Sequence, residues 1–328
     1  MTKSILIKNI ASFTIIAVIF FFLGLYIYVN WAQIRDYEWN VNYQMLLLSL
    51  ALLCVPFFMM AIGWYLILWC LHSSVNAIEC VKIYTLSQLA RYIPGKIFMF
   101  VGRVMMAERL GVKKSISALS VFFEAIISTA GAFFATLILY LFTSKVQIAW
   151  LNPYWIGFLI AAGLMAMNPK LLNTVLHKIY QLRYKNDFGF PSIELRYYKI
   201  ILLCLYYIII WVLMAASFYL LIISFSESLT GVKAFFDITC VFLISWIIGF
   251  LSILTPGGLG VREGVMTIGL GKFLPLQFVS IMVIVSRIWL TIGELLVVAI
   301  AYVMPKTDPK LQVIYEEQPK AGYESKHV

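Results

Sequence analysis

Long apolar blocks, separated by short polar stretches, organise this chain. Residues 11–29, 43–69, 115–141, 150–167, 200–224 and 275–303 are each close to or beyond the roughly 20 residues that a helix needs to cross a bilayer, so the pattern predicts six full spans. The first block follows Lys3 and Lys8 and ends in Tyr26, Tyr28 and Trp31 rather than a small-residue cleavage pattern, which reads as a retained span.

Two stretches do not fit a simple crossing. In residues 73–114, Asn76 with Glu79 predicts the capped start of an amphipathic helix that runs into Arg91-Tyr92-Ile93-Pro94-Gly95-Lys96, and a second short helix follows near 97–109. In the second half, residues 233–254 are apolar enough to span alone. Their partner, 259–273, is too short and contains Arg262 and Glu263. Between them lies Thr255-Pro256-Gly257-Gly258-Leu259-Gly260-Val261-Arg262-Glu263. Non-helical backbone and charge at membrane depth are tolerated only against protein or a polar cavity, so each stretch is expected to form a re-entrant helical hairpin.

Basic residues orient the elements. The 73–114 region holds Lys82, Arg91, Lys96, Arg103, Arg109, Lys113 and Lys114 against Glu79 and Glu108, and the 170–199 loop is also rich in Lys and Arg, which places both on the cytoplasmic side. Arg35, Asp36 and Glu38 fall outside, and both termini face the cytoplasm of a cell membrane. Setting Pro256 on Pro94, an offset of 162 residues, carries 115–141 onto 277–303 and brings the second span near 200–224. Each half then has three crossings and one hairpin, so the copies have opposite topology. The expected fold is an all-α polytopic membrane protein of six spans and two re-entrant hairpins in an inverted repeat. Its parts are residues 1–146 with a cytoplasmic-side hairpin, 147–304 with an outer-side hairpin, and a short cytoplasmic tail, 305–328.

Composition narrows the chemistry. With 62% hydrophobic and 12% charged residues and a mean hydropathy of +0.93, no stretch builds a sizeable water-soluble domain. The net charge of +10 sits on loops that face anionic inner-leaflet lipid, so it does not point to nucleic acid. Cys54, Cys70, Cys80, Cys204 and Cys240 are scattered singly, as are His72, His177 and His327, so neither a metal nor another cofactor is expected. No Gly-x4-Gly-Lys-Ser/Thr loop is present to bind ATP.

The candidate site follows from where charge meets the breaks. Arg91, Lys96, Arg103 and Arg262 offer charge-assisted hydrogen bonds to a phosphate. Gly257, Gly258 and Gly260 leave backbone N–H groups uncovered at the start of a helix, and Glu263 lies beside them. A plainer role is open for each: the glycines as a tight turn, and Arg262 with Glu263 as a self-neutralising pair. Glu124, Arg287 and Glu294 lie within predicted spans as a charge network. The 162-residue offset sets Glu124 beside Arg287, which predicts an ion pair between the halves, whereas Arg287 and Glu294, two turns apart, would meet only through a third group.

The first motif, with Arg103 and Gly111 after it, and the longer Pro-Gly-Gly-x-Gly-x-Arg-Glu motif resemble the lysylphosphatidylglycerol synthase transmembrane-region family, also called flippase-like. The resemblance covers nearly the whole chain. It implies translocation of an anionic phospholipid or a polyprenyl-phosphate-linked lipid between leaflets. The aminoacyl-transfer activity of larger members is not expected, because the tail after Val303 is far below the size of a transferase fold. Two alternatives stay open. One is a membrane-embedded transferase using a lipid-linked donor, with Glu124, Glu263 or Glu294 as general base; the other is a scaffold in an envelope glycolipid assembly, with homo-oligomers or biosynthetic proteins as partners.

Overall fold

The computed structural model describes residues 28, 35, 40–71, 73, 75–92, 97–146, 152–174, 178, 195–226, 229–252 and 260–305. Among them the chain is helical and without strands. Its main elements are α1 (Tyr43–Cys70), α2 (Ala77–Gln88), a 3-10 turn (Leu89–Tyr92), α3 (Ile97–Glu108), α4 (Lys114–Tyr140), α5 (Pro153–Ala166), α6 (Tyr197–Ile223), α7 (Val232–Leu251), α8 (Val261–Leu270) and α9 (Leu276–Val303).

Among the described residues five helices, α1, α4, α6, α7 and α9, are long and apolar enough to cross a membrane. The expected span at 150–167 is instead the 14-residue α5, about 21 Å long at 1.5 Å per residue and short of the hydrocarbon thickness. The expected first span lies outside the described residues, apart from helical Tyr28. Helix α7, anticipated as a hairpin arm, has 20 residues and is long enough to cross. The short α2 and α3 begin and end as the polar pattern predicts. The Asn76 side chain accepts from the Ile78 N–H at 2.8 Å, and Glu79, in the first turn, lies 3.4 Å from Lys82.

The central contact is between α1 and α6, and the two run antiparallel. The Asn42 N–H before α1 donates to the Ser224 carbonyl after α6 at 2.8 Å, while at the other end Lys199 of α6 lies 5.9 Å from the Trp69 ring of α1. Packing elsewhere is reciprocal. Helix α2 packs on α9 as α7 packs on α4; α1 packs on α9 as α6 packs on α4; and the pairs α2–α3 and α3–α4 are mirrored by α7–α8 and α8–α9. Exchanging α1–α4 for α6–α9 therefore preserves the neighbour relations.

Small residues allow this close approach. A Cβ on Gly131 of α4 would stand 2.7 Å from Tyr207 Cβ and 3.0 Å from its backbone carbonyl carbon, so only glycine lets α4 lie against α6 there. Hydrogen bonds fix which helix ends share a side. Lys82 of α2 donates to the Pro305 carbonyl after α9 at 3.0 Å, and Trp64 near the end of α1 donates to Ser120 near the start of α4 at 3.1 Å. At the opposite end, buried Asp237 of α7 accepts from the backbone N–H groups of Ser144 at 2.9 Å and Lys145 at 2.8 Å, and from the Ser144 hydroxyl at 2.8 Å, just after α4. Helices α2 and α7 thus set out from opposite ends of the bundle.

Candidate functional site

Helices α7 and α8 form a tight antiparallel pair. Gly249 meets Arg262 and Gly269 meets Val241, where an added Cβ would come within 3.0 Å and 2.5 Å of the respective partner side chains. The turn into α8 is made by Gly260 in the left-handed region, φ +84°, and its N–H donates to the Glu263 carboxylate at 2.7 Å. The Gly260 N–H expected to face an anion is therefore already satisfied by Glu263. Gly257 and Gly258 lie outside the described residues, as does Lys96 of the first break.

Glu263 also accepts from the Arg287 guanidinium of α9. This carboxylate both caps α8 and ties it to α9, and Arg262 takes no part in the pair. The first half has an equivalent with the charges exchanged: Arg103 of α3 donates to Glu124 of α4 at 2.9 Å. The expected ion pair between Glu124 and Arg287 is thus replaced by one pair within each half, because each short helix brings its own counter-charge to the span it packs against. Opposite charges at equivalent places arise from this exchange.

Arg103 is fully enclosed. Its Nε donates to the Ser87 hydroxyl at 3.2 Å, its Cζ lies 4.0 Å from the Tyr84 ring centre and 5.4 Å from that of Trp64, and Tyr84 donates in turn to Glu124 at 3.2 Å. Burial with this many partners gives it the character of a structural clamp between α2, α3 and α4. The sequence pattern offers Arg103, on the short helix after the first break, to a lipid phosphate, whereas its donors go to Ser87 and Glu124; Trp64, Tyr84 and Ser87 carry no signal of their own.

The third ion pair joins the two halves. Arg91, in the 3-10 turn that ends α2, donates to Glu294 of α9 at 2.6 Å and also to Gln88. Arg287 and Glu294 lie in the middle third of the 28-residue α9, which is about 42 Å long. Around them stands Arg262, which is 6% exposed and feels the fields of Arg287, Glu263, Glu294 and Arg91. Its guanidinium lies over the rings of Phe242, at 5.2 Å, and Trp246, at 5.6 Å, both from α7. One of its terminal nitrogens, Nη2, is buried with no hydrogen-bond partner. The structure brings Arg91, Arg262, Glu263, Arg287 and Glu294 together and sets Arg103 with Glu124 as a separate clamp.

Asp237 is the charged residue that the sequence pattern concealed. It sits in an apolar run, where the rule that singled out Glu124 applies equally, yet its partners are backbone groups that no spacing reveals.

Long apolar helices around buried and partly buried ion pairs define a multi-pass helical membrane protein. The model of the lysylphosphatidylglycerol synthase TM region matches residues 9–300, and the chain belongs to that family. No curated protein sequence matches it.

Proposed function

We propose that this protein moves an anionic, phosphate-bearing lipid between membrane leaflets, with α2–α3 and α7–α8 acting as re-entrant hairpins of an inverted repeat. The first would enter from the cytoplasmic side and the second from outside, within halves 1–146 and 147–304, and both termini would face the cytoplasm of a cell membrane. What supports the repeat is the antiparallel α1–α6 pair and the reciprocal packing around it. Family membership supports a membrane-lipid role.

The observation that carries the reading is convergence. Arg91 at the end of α2 and Arg262 at the start of α8 come from opposite ends of the bundle to one charge cluster at mid-length of α9, and Arg262 brings a buried N–H without an acceptor. A desolvated guanidinium is a strong receptor for phosphate oxygens, while the acyl or prenyl chains remain in lipid. A transferase is less well served, since Glu124, Glu263 and Glu294 each accept from an arginine and are held as ion-pair members.

The test is reconstitution. Purified protein in liposomes with fluorescent phospholipids and polyprenyl phosphates should accelerate leaflet exchange of at least one anionic lipid over empty vesicles. No acceleration across the panel, together with turnover of a lipid-linked donor, would move the assignment to a transferase.

A further inference from the structure

Arg262 is not alone in lacking an acceptor. The indole N–H of Trp246, whose ring lies against its guanidinium, is also buried without a hydrogen-bond partner. Trp246 is fixed by an edge-on contact with the Trp211 ring at 4.7 Å, and Trp211 is itself tied by its N–H to the Ser128 carbonyl at 2.8 Å. A buried N–H left unmade costs about 1–3 kcal/mol, and two neighbouring ones are rarely retained without a use. Both are donors, so what satisfies them is an acceptor.

The charges around them set its valence. Among the described residues, three guanidinium groups, those of Arg91, Arg262 and Arg287, face two carboxylates, those of Glu263 and Glu294, while Arg103 and Glu124 neutralise each other separately. Residues 253–259 of the intervening break contain no ionisable side chain. Among the described residues of the cluster one positive charge is left over, and in an apolar interior an uncompensated charge is strongly disfavoured.

Building on the lipid-translocation reading, we propose that Trp246 and Arg262 form the two donors of a binding site for one singly charged oxyanion, the phosphodiester of a lipid headgroup. A phosphomonoester, which approaches two negative charges above its second pKa of about 6, would overcharge the site. A zwitterionic phosphodiester would bring a second cation to a cluster already in excess of positive charge. Trp246 would be a specificity-determining residue, its N–H taking one phosphate oxygen while Arg262 takes another.

The experiment measures melting temperature in detergent against graded short-chain phosphatidylmethanol, phosphatidic acid and phosphatidylcholine, and against inorganic phosphate, for the wild type, Trp246→Phe and Arg262→Gln. Phenylalanine keeps an aromatic ring at this position and loses the N–H. Phosphatidylmethanol should stabilise the wild type at concentrations at least tenfold below phosphatidic acid or phosphatidylcholine. Trp246→Phe should need roughly tenfold more, about one hydrogen bond's worth, and Arg262→Gln should lose the response. Without lipid, Trp246→Phe should melt somewhat lower because the smaller ring leaves a gap, so each variant's response is read as the lipid-induced shift from its own lipid-free baseline.

Equal response of Trp246→Phe and wild type to phosphatidylmethanol overturns the proposal, as does equal protection by phosphatidic acid. Equal protection by inorganic phosphate would make the source a free anion and overturn the lipid assignment. If phosphatidylmethanol binds as expected but reconstituted vesicles exchange no lipid, the translocation reading fails and the site stands. If vesicles exchange lipid while Trp246→Phe changes neither binding nor rate, the site fails and translocation stands.

Discussion

Arg91 and Glu294 are 203 residues apart in sequence and 2.6 Å apart in space. The contact ties the last turn after α2 to the middle of α9 and so couples the two halves through a partly buried ion pair. Breaking one side of such a pair leaves the other charge uncompensated at membrane depth, which costs more than the pair contributes as a whole. Arg91→Gln and Glu294→Gln should each destabilise by about 2–4 kcal/mol. The exchange Arg91→Glu with Glu294→Arg should recover at least half of that, measured as a double-mutant cycle on melting in detergent.

The clamp around Arg103 predicts a steeper hierarchy. Glu124→Gln strands a fully enclosed guanidinium and should cost about 3–5 kcal/mol, whereas Tyr84→Phe removes a single 3.2 Å hydrogen bond and should cost about 1 kcal/mol. Arg103→Lys should behave like Glu124→Gln, since an ammonium cannot reach Ser87 and Glu124 together while lying over the Tyr84 ring. Thermal unfolding followed by circular dichroism ranks the three.

Helix contact across the α4–α6 seam rests on one missing side chain. Gly131→Ala places a methyl group 3.0 Å from Tyr207 backbone and should cost about 1–3 kcal/mol through forced separation of the helices. Gly102→Ala and Gly157→Ala meet nothing within 4 Å, and should be neutral or stabilising by up to about 1 kcal/mol from helix propensity. Equal melting of all three variants would remove the packing argument.

How much of this was legible beforehand depends on what kind of signal each part leaves. The spans α1, α4, α6 and α9 follow from continuous apolar runs, and α2 starts where Asn76 marks it, because burial in lipid and capping both act locally on sequence. Helix α5 was overestimated because an apolar run sets only an upper bound on helix length; its helix opens at Pro153, behind the Asn152 cap. The presence of charge within the bundle at Glu124, Arg262, Glu263, Arg287 and Glu294 was legible from cost alone, but partner choice was not. It depends on which helix packs against which, and an alignment of the halves predicts equivalence of position, not contact. Trp246 left no signal: among many membrane tryptophans, nothing in sequence says which one carries an N–H without an acceptor.

The opposed ends of α2 and α7 yield a topology prediction. In a variant with its five cysteines replaced, Lys113→Cys before α4 should react with an impermeant maleimide only from the cytoplasmic face, and Lys145→Cys beside the Asp237 anchor only from the outer face. Labelling of both from one face would place α2 and α7 on the same side and dissolve the inverted arrangement.

If the convergent charge cluster handles a lipid anion, Arg262, with a buried N–H that has no acceptor, is a residue on which transport depends. The most direct measurement is the rate of leaflet exchange of a fluorescent anionic phospholipid in proteoliposomes carrying wild type or Arg262→Gln at equal, folded protein content. A rate at least tenfold lower for Arg262→Gln is predicted; equal rates, with both proteins folded, would contradict it.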